Sequence, residues 1–394
     1  MRSTVLAALA GASMLSDTAR SRDVTIPFEL INKTVFIRVM VKATPLWFVL
    51  DTGDKYAVVD MGVATALGLD LGDPVTVTGG GKDAVAARLV RSGDVSVVGL
   101  EGSGQPLVIA LPLDKLANAS GHEFAGILGG DFLRQFVVEI DYMQQSLTLH
   151  DTTTYVYRGA GDVLPITFNA AGHPQVTADV LDGDRSTRKG TFVLDIGSGA
   201  ALILNTPFVD SERLLTGNRR TVPWLEGRGI GGGVEGVVGR ITAFKLGREW
   251  IENPVTVFAR AGAGPFAASE AQGNIGAAIL EKFKVILDYN HLRIILEPNA
   301  RFREPLEYNR TGLSLVSFGP DYKRFQIDAV AEHSPAADAG VQSGDMLVAI
   351  DGRAAEEFTL SEVRLHFKDA KWCTLTIQRG DSRLQRRLEL QRSI

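Results

Sequence analysis

The sequence contains one six-residue motif twice: residues 48–53 read Phe-Val-Leu-Asp-Thr-Gly, and residues 192–197 read Phe-Val-Leu-Asp-Ile-Gly. In each copy a run of apolar residues, typical of a buried β-strand, ends at an Asp that is followed by a Gly turn. The two acidic residues are Asp51 and Asp195. A repeat of this kind predicts two equivalent halves, each presenting one carboxyl group at the end of a strand.

Two further segments recur in the same order and at nearly the same spacing. Gly126-Ile-Leu-Gly129 returns as Gly273-Asn-Ile-Gly276, and residues 136–141 return as residues 283–288. Coincidence explains a single pair but not a collinear set of three, so the chain is predicted to contain a duplicated lobe.

The chain divides into five predicted segments. Short β-type runs separated by Gly, Asp and Pro turns predict a mainly β fold, with short helices only near 63–69 and 130–136. A polar, Pro-containing stretch follows the second copy and reads as a linker. The segments are 1–22, a secretory signal or a frayed N-terminus; 23–157, the first lobe; 158–299, the second lobe; 300–309, the linker; and 310–394, a third domain.

Composition narrows the class of protein. With 394 residues, 45% hydrophobic and 22% charged, the chain has enough apolar side chains for several folded cores, and its net charge of −5 gives no cationic field to attract nucleic acid. The single Cys373 and six scattered His residues show no metal-ligand spacing, so we expect neither a metal nor another cofactor. We expect no stable membrane span and, from the apolar N-terminus, export to the periplasm or the medium, with the cytoplasm as the alternative.

The paired Asp residues suggest a specific chemistry. A lone buried carboxylate is costly, whereas two carboxyls facing each other can share one proton. The ionised partner can then take a proton from water while the protonated partner donates a hydrogen bond to a peptide carbonyl. Such a pair hydrolyses amides without a metal or a nucleophilic side chain.

These motifs resemble the lobes of pepsin-like and retropepsin-like aspartic proteases, which pair an apolar-apolar-Asp-Thr/Ser-Gly motif with a later apolar-apolar-Gly stretch. The resemblance implies a bilobal double β-barrel with Asp51 and Asp195 as the catalytic dyad. Because both aspartates lie in one chain, it also implies a monomer that cleaves polypeptide substrates. The residues expected to support the dyad are Thr52, Gly53, Gly197 and Ser198.

Two positions depart from the pattern of that family. Ile196 replaces the hydroxyl residue that hydrogen-bonds across the lobe interface, and Asp54 stands where the family tends to place a small or hydroxyl residue. If Asp54 points inward it raises the pKa values of the dyad, and if outward it is a solvated turn residue. We expect the outward orientation.

Two glycine-rich segments lie between the Asp and the later Gly motif of each copy, where a flap over the cleft is expected. Glycine supplies the backbone freedom that such a hairpin needs, although ordinary glycine-rich turns are the alternative. The flap candidates are Gly79, Gly80, Gly81, Gly231, Gly232 and Gly233.

The segment 310–394 resembles a bacterial-type PDZ domain of the α+β class, through residues 334–345 and Ile350-Asp-Gly352. That resemblance implies capture of peptide C-termini or tails at an open sheet edge, with residues 360–367 as the groove helix. The alternative is a domain that only packs against the lobes. The candidate peptide-binding residues are Gly312, Leu313, Ser314 and Leu315.

The sequence therefore predicts an aspartic-type endopeptidase, a hydrolase active in proteolysis, with a PDZ module for recruitment or regulation. The alternative, motivated by Ile196 and Asp54, is a catalytically degenerate peptide-binding scaffold of the same fold.

Overall fold

The computed structural model describes residues 23–91, 95–98, 100, 107–183 and 186–394. The predicted signal segment, residues 1–22, lies outside the described residues.

The first copy is built from short strands and three short helices. Helices occur near both predicted positions, and α1 is capped by Asp60, whose carboxylate accepts a hydrogen bond of 3.0 Å from Val63 N. Helix α2 was not predicted. The helices are α1 Met61–Ala66, α2 Asp114–Ser120 and α3 Gly130–Leu133, and the strands are β1 Val24–Pro27, β2 Glu29–Ile31, β3 Thr34–Val41, β4 Thr44–Leu50, β5 Ala57–Asp60, β6 Leu71–Val77, β7 Val85–Val90, β8 Val95–Val97, β9 Val108–Leu111, β10 Gly126–Leu128, β11 Val137–Asp141 and β12 Ser146–His150.

The second copy repeats the plan of a strand-rich lobe with two short α-helices. A 3₁₀ turn spans Pro265–Ala267. The helices are α4 Thr206–Ser211 and α5 Ala277–Leu280, and the strands are β13 Asp162–Phe168, β14 Pro174–Asp182, β15 Ser186–Asp195, β16 Leu202–Leu204, β17 Val222–Pro223, β18 Arg228–Gly229, β19 Gly232–Gly233, β20 Gly236–Arg240, β21 Ala243–Leu246, β22 Glu249–Glu252, β23 Val255–Ala259, β24 Gly273–Gly276, β25 Phe283–Asp288 and β26 Arg293–Pro298.

The C-terminal segment forms a separate small α+β unit. Its sheet runs in the order β27-β28-β29-β31-β32, with β27 at one edge. Phe325, Ile327, Phe367 and Leu375 belong to a hydrophobic core of its own. A 3₁₀ turn spans Ala355–Glu357, the helices are α6 Pro335–Asp338 and α7 Leu360–Asp369, and the strands are β27 Leu313–Phe318, β28 Arg324–Val330, β29 Met346–Ile350, β30 Arg353–Ala354, β31 Trp372–Arg379 and β32 Ser382–Glu389. The fold is thus mainly β with an appended α+β domain.

The two copies are joined by one continuous sheet. From one edge, its strands run in the order β1-β12-β11-β25-β26-β13, and the recurring segments β11 and β25 pair antiparallel with each other. Ile140 faces Val285 in that register, and both are fully buried. The duplication read from the sequence is therefore a physical symmetry at the junction of the lobes.

The predicted linker is held against the second copy. Lys282 Nζ donates hydrogen bonds to the carbonyls of Arg301, Phe302 and Glu304. The Phe302 ring packs edge-on against Phe283, with 5.2 Å between ring centroids. These contacts restrain the position of the C-terminal domain relative to the lobes.

Candidate active site

Equivalent strand pairs present the two aspartates. Strand β4 runs parallel to β10, with Leu50 opposite Leu128, and β15 runs parallel to β24, with Leu194 opposite Ile275. Parallel pairing aligns the carboxyl ends of neighbouring strands, so each Asp emerges beside the later Gly motif of its own copy.

The side chains of Asp51 and Asp195 meet and hydrogen-bond to each other. Each Gly of the opposite triplet leaves room for this approach. A Cβ atom on Gly53 would lie 2.8 Å from Asp195 Oδ1, and one on Gly197 would overlap the Asp51 carboxyl group. Any side chain at either position would push the carboxyls apart.

The two carboxyls have unequal surroundings. Asp51 accepts a hydrogen bond of 2.7 Å from Gly53 N, while Asp195 accepts from Ser198 N and Asn274 Nδ2, each at 3.0 Å. Burial, followed by the negative charge of Asp195, raises the pKa of Asp51 well above its ordinary value. Burial also raises the pKa of Asp195, but its donors oppose that rise. The additional donor from Asn274 favours the ionised form of Asp195 over that of Asp51.

The expectation for Asp54 was wrong, because this side chain lines the same cavity as the dyad. Burial and then the charge of Asp195 raise the pKa of Asp54 from 3.8 to about 7. The turn after Asp51 is held by a hydrogen bond of 2.8 Å from Gly130 N to Asp54 O. This tight turn directs the Asp54 carboxyl inward. The site therefore contains three carboxyl groups.

Thr52 forms the brace across the lobe interface that its position in the triplet predicts. Its hydroxyl donates to Leu194 O at 2.6 Å and accepts from Ile196 N at 3.0 Å. Ile196 is buried and apolar, so the reciprocal bonds are replaced by packing. Ser198 supports the dyad through its backbone N–H, which donates to Asp195 Oδ1 at 3.0 Å.

Two polar residues at the site were missed from the sequence. Asn274, a donor to Asp195, lies in the second copy where the first copy has Ile127. A polar residue interrupting an otherwise apolar strand motif was the signal that could have identified it. His173 also lines the cavity, and burial lowers its pKa although the charge of Asp195 opposes this.

The two glycine-rich segments meet each other at the cavity. Gly81 N donates to Ile230 O at 2.8 Å, and Asp83 N donates to Gly231 O at 2.9 Å. Gly79, Gly80 and Gly81 line the cavity, whereas in the second copy Gly229 and Ile230 do so and Gly231, Gly232 and Gly233 lie just beyond them. The first segment connects β6 to β7, and the second contains the β18–β19 hairpin.

Only some of the candidate peptide-binding residues of the C-terminal domain lie at the cavity. Ser314 and Leu315 line the cavity that contains the dyad, while Gly312 and Leu313 do not. The expected open sheet edge is partly covered, because Ser317 Oγ donates to Asn118 O of α2 at 3.2 Å. The domain is docked on the first lobe at this edge.

The described part of the chain contains no group of three or more His, Cys, Asp or Glu side chains suited to a metal ion. None of its helices, over the same residues, is long and apolar enough to cross a membrane.

Comparison with known proteins identifies two domains. Residues 37–132 match the family model described as aspartyl protease, and residues 326–364 match the one described as PDZ domain. No curated protein matches the chain. Among solved structures, the chain is similar to the aspartic proteinase from Irpex lacteus, with 14% identity and a TM-score of 0.43 over 72% of this chain and 99% of that chain. The chain thus carries an aspartyl protease domain and a C-terminal PDZ domain, which confirms the resemblance found in its sequence.

Proposed function

We propose that the chain is an aspartic endopeptidase that hydrolyses peptide bonds with water activated between Asp51 and Asp195. The observation that carries this proposal is the direct hydrogen bond between two half-buried carboxyls, one from each copy, inside a large cavity. Opposed carboxyls that share a proton supply an acid and a base from identical residues.

The surroundings of the dyad assign a role to each carboxyl. Asp195, with donors from Asn274 and Ser198, is the ionised group that removes a proton from water. Asp51 keeps the proton and donates it to the carbonyl oxygen as the tetrahedral gem-diol forms. Asp195 then passes the proton taken from water to the amine nitrogen as the C–N bond breaks, and a gem-diol hydroxyl returns its proton to Asp51. The dyad thereby regains its single proton, and no covalent intermediate forms.

The test compares the wild type with Asp51→Asn and Asp195→Asn on an unfolded polypeptide from roughly pH 3 to pH 8. Either substitution should lower the cleavage rate by about 10²- to 10⁴-fold, because each removes one member of the acid–base pair. Asp381→Asn, at an exposed residue, is the matched control and should cleave like the wild type. Cleavage that persists in both dyad variants would refute the proposal.

A second candidate function is a peptide-binding scaffold that has lost turnover. The inward orientation of Asp54 favours it, because a third carboxyl beside the dyad disfavours the singly ionised state. Peptide binding by the wild type without cleavage at any pH in the series would establish this alternative. Export and a monomeric state are proposed with the protease function and rest on the sequence alone.

A further inference from the structure

One cavity contains both the dyad and a surface of the C-terminal domain. Its volume is about 1240 Å³, and its wall includes Asp51 and Asp195 from the lobes together with Arg364 and Lys368 from α7. A peptide that enters the cleft can therefore contact the C-terminal domain directly.

Helix α7 turns a mixed face, with Arg364 and Lys368 beside the exposed Leu365, toward this cavity. Four residues of this helix line the cavity, and their spacing places them on one side of the helix: Ser361, Arg364, Leu365 and Lys368. The opposite side, with Leu360, Val363 and Phe367, is buried in the core of the domain. The burial of the apolar side fixes which residues face the cleft.

Docking of the domain fixes the position of this face. Arg364 Nη2 donates to Ala119 O at the end of α2 at 2.9 Å, next to the bond between Ser317 and Asn118. On the other lobe, Arg228 of the β18–β19 hairpin forms an ion pair with Asp328 of β28. The C-terminal domain thus contacts both lobes around the cavity.

Most other cations along the cavity already have an acidic partner. Lys33 pairs with Glu281, Arg301 with Glu304, and Arg228 with Asp328. Within the described part of the chain, neither Arg364 nor Lys368 forms an ion pair, and Lys368 makes no hydrogen bond through Nζ. Two cations on one helix face therefore lack a direct acidic partner among the described residues, although Glu226 and Asp369 line the same cavity.

Their surroundings make an anionic ligand favourable. Burial lowers the pKa of Arg364 and of Lys368, and the charge of Glu226, which does not contact them as an ion pair, opposes this in both cases. Both side chains are half-buried. A half-buried guanidinium gains more from a carboxylate ligand than a fully exposed guanidinium does, and its planar fork can bind both carboxylate oxygens. A carboxylate placed between the two side chains would supply the missing counter-charge.

We propose that Arg364 and Lys368 form a carboxylate-binding subsite of the substrate cleft, contributed by the C-terminal domain. This proposal rests on the proposed endopeptidase function and specifies its substrates as polypeptides with a carboxylate at a fixed distance from the cleaved bond. The carboxylate can belong to an acidic side chain or to the end of the chain, since both present the same two oxygens.

The test uses matched peptides with Glu or Gln at each position around one cleavage site, each with a free or an amidated C-terminus. The wild type should prefer the carboxylate form by about tenfold or more in kcat/KM, as expected for a charge-assisted hydrogen bond in a half-buried site. Preference that follows Glu against Gln identifies a side chain, and preference that follows the free terminus identifies a chain end.

Variants then assign the preference to the helix face. Arg364→Gln and Lys368→Gln should each reduce the preference ratio toward one. Lys368→Gln tests the subsite without releasing the C-terminal domain from the first lobe, because Lys368 takes no part in the hydrogen bond to α2. Lys371→Gln, at an exposed lysine outside the cavity, should keep the wild-type ratio. Equal cleavage of all peptides by the wild type, or an unchanged ratio in both helix variants, would overturn the subsite.

Peptide binding tests the carboxylate subsite separately from protease activity. If the wild type cleaves none of the peptides, the same set is measured for binding by fluorescence anisotropy with the full chain. Tighter binding of the carboxylate forms, lost in Lys368→Gln, supports the subsite without turnover. Binding that ignores the carboxylate overturns it.

Discussion

The Thr52 hydroxyl accepts a hydrogen bond of 3.0 Å from Ile196 N, so the two copies of the motif are bonded to each other next to the dyad. The same hydroxyl donates to Leu194 O, and the Thr52 side chain is fully buried. Ile196 offers no hydroxyl in return. The lobe interface at the dyad therefore depends on one side chain for both of these bonds.

Replacing Thr52 with Val should destabilise the protein and disturb the dyad. The change keeps the shape of the side chain but leaves the Leu194 carbonyl and the Ile196 N–H buried without partners, at a cost of about 2–4 kcal/mol in the free energy of unfolding. Urea denaturation measures this cost, and kcat/KM on a peptide measures the displacement of the aspartates. Thr52→Ser is the matched control because it keeps the hydroxyl. Equal losses in both variants would mean that the methyl group, not the brace, matters.

Asn274 should set the acid limb of the pH–rate profile. Its side chain lowers the pKa of Asp195, so Asn274→Leu should raise that pKa and require a higher pH to ionise the base. The acid limb of kcat/KM should move upward by about one pH unit, which is a tenfold loss of rate on that limb. Asn218→Ala, at an exposed asparagine, should leave the profile in place. A uniform fall in rate without a shift would contradict a role in ionisation.

The repeated motifs predict the position of the dyad because the buried strand, the Asp and the Gly turn can each be recognised within a few consecutive residues. The continuous apolar runs place Asp51 and Asp195 at strand ends, and the recurrence brings equivalent ends together. The orientation of Asp54 is not a local property, since the turn that carries it is tied to Gly130, which is distant in the sequence. Periodicity alone gives no reason for that carboxyl to turn inward.

The position of the C-terminal domain, like the orientation of Asp54, could not be predicted from the sequence. Its docking surface includes α2, a short helix with no strong apolar periodicity, and backbone carbonyls of Asn118 and Ala119 that any residue type supplies. Contacts made through the main chain leave no trace in side-chain identity. Nothing in the sequence indicates that Arg364 and Lys368 face the cleft, because their position there results from that docking.

Asp54 should make the stability of the protein fall as the pH rises. Its pKa is about 7 in the folded chain and 3.8 ordinarily, so the folded state binds the extra proton between these values. By linkage, the stabilisation is complete below about pH 4 and is lost as the pH rises through about 7. Asp54→Asn removes this dependence and should be more stable than the wild type by about 1–2 kcal/mol near pH 8, with little difference near pH 4.

Urea unfolding of wild type and Asp54→Asn at several pH values checks this expectation. Asp381→Asn, at an exposed acid, should follow the wild-type curve. Parallel curves for wild type and Asp54→Asn across the range would show that the Asp54 carboxyl titrates normally and faces solvent.

Closure of the cleft should depend on the absence of a side chain at Gly81. The Gly81 N–H donates to Ile230 O at 2.8 Å, and a Cβ atom at Gly81 would overlap the backbone of Gly231. Backbone cannot rotate away as a side chain does, so Gly81→Ala must separate the two glycine segments. We expect a KM raised about tenfold, since the lost contact holds the cleft closed over bound peptide. Faster hydrogen exchange at the Gly81 and Asp83 amides should accompany it.

Gly262→Ala is the matched control for this variant. An added Cβ at Gly262 meets nothing within 4 Å, so the substitution changes the same residue type without a clash. If the two variants show the same KM and the same exchange rates, the contact between the segments does not govern substrate binding. If Gly81→Ala alone loses affinity while its unfolding free energy matches the control, the segments act as paired flaps, because the loss is then confined to the closed cleft.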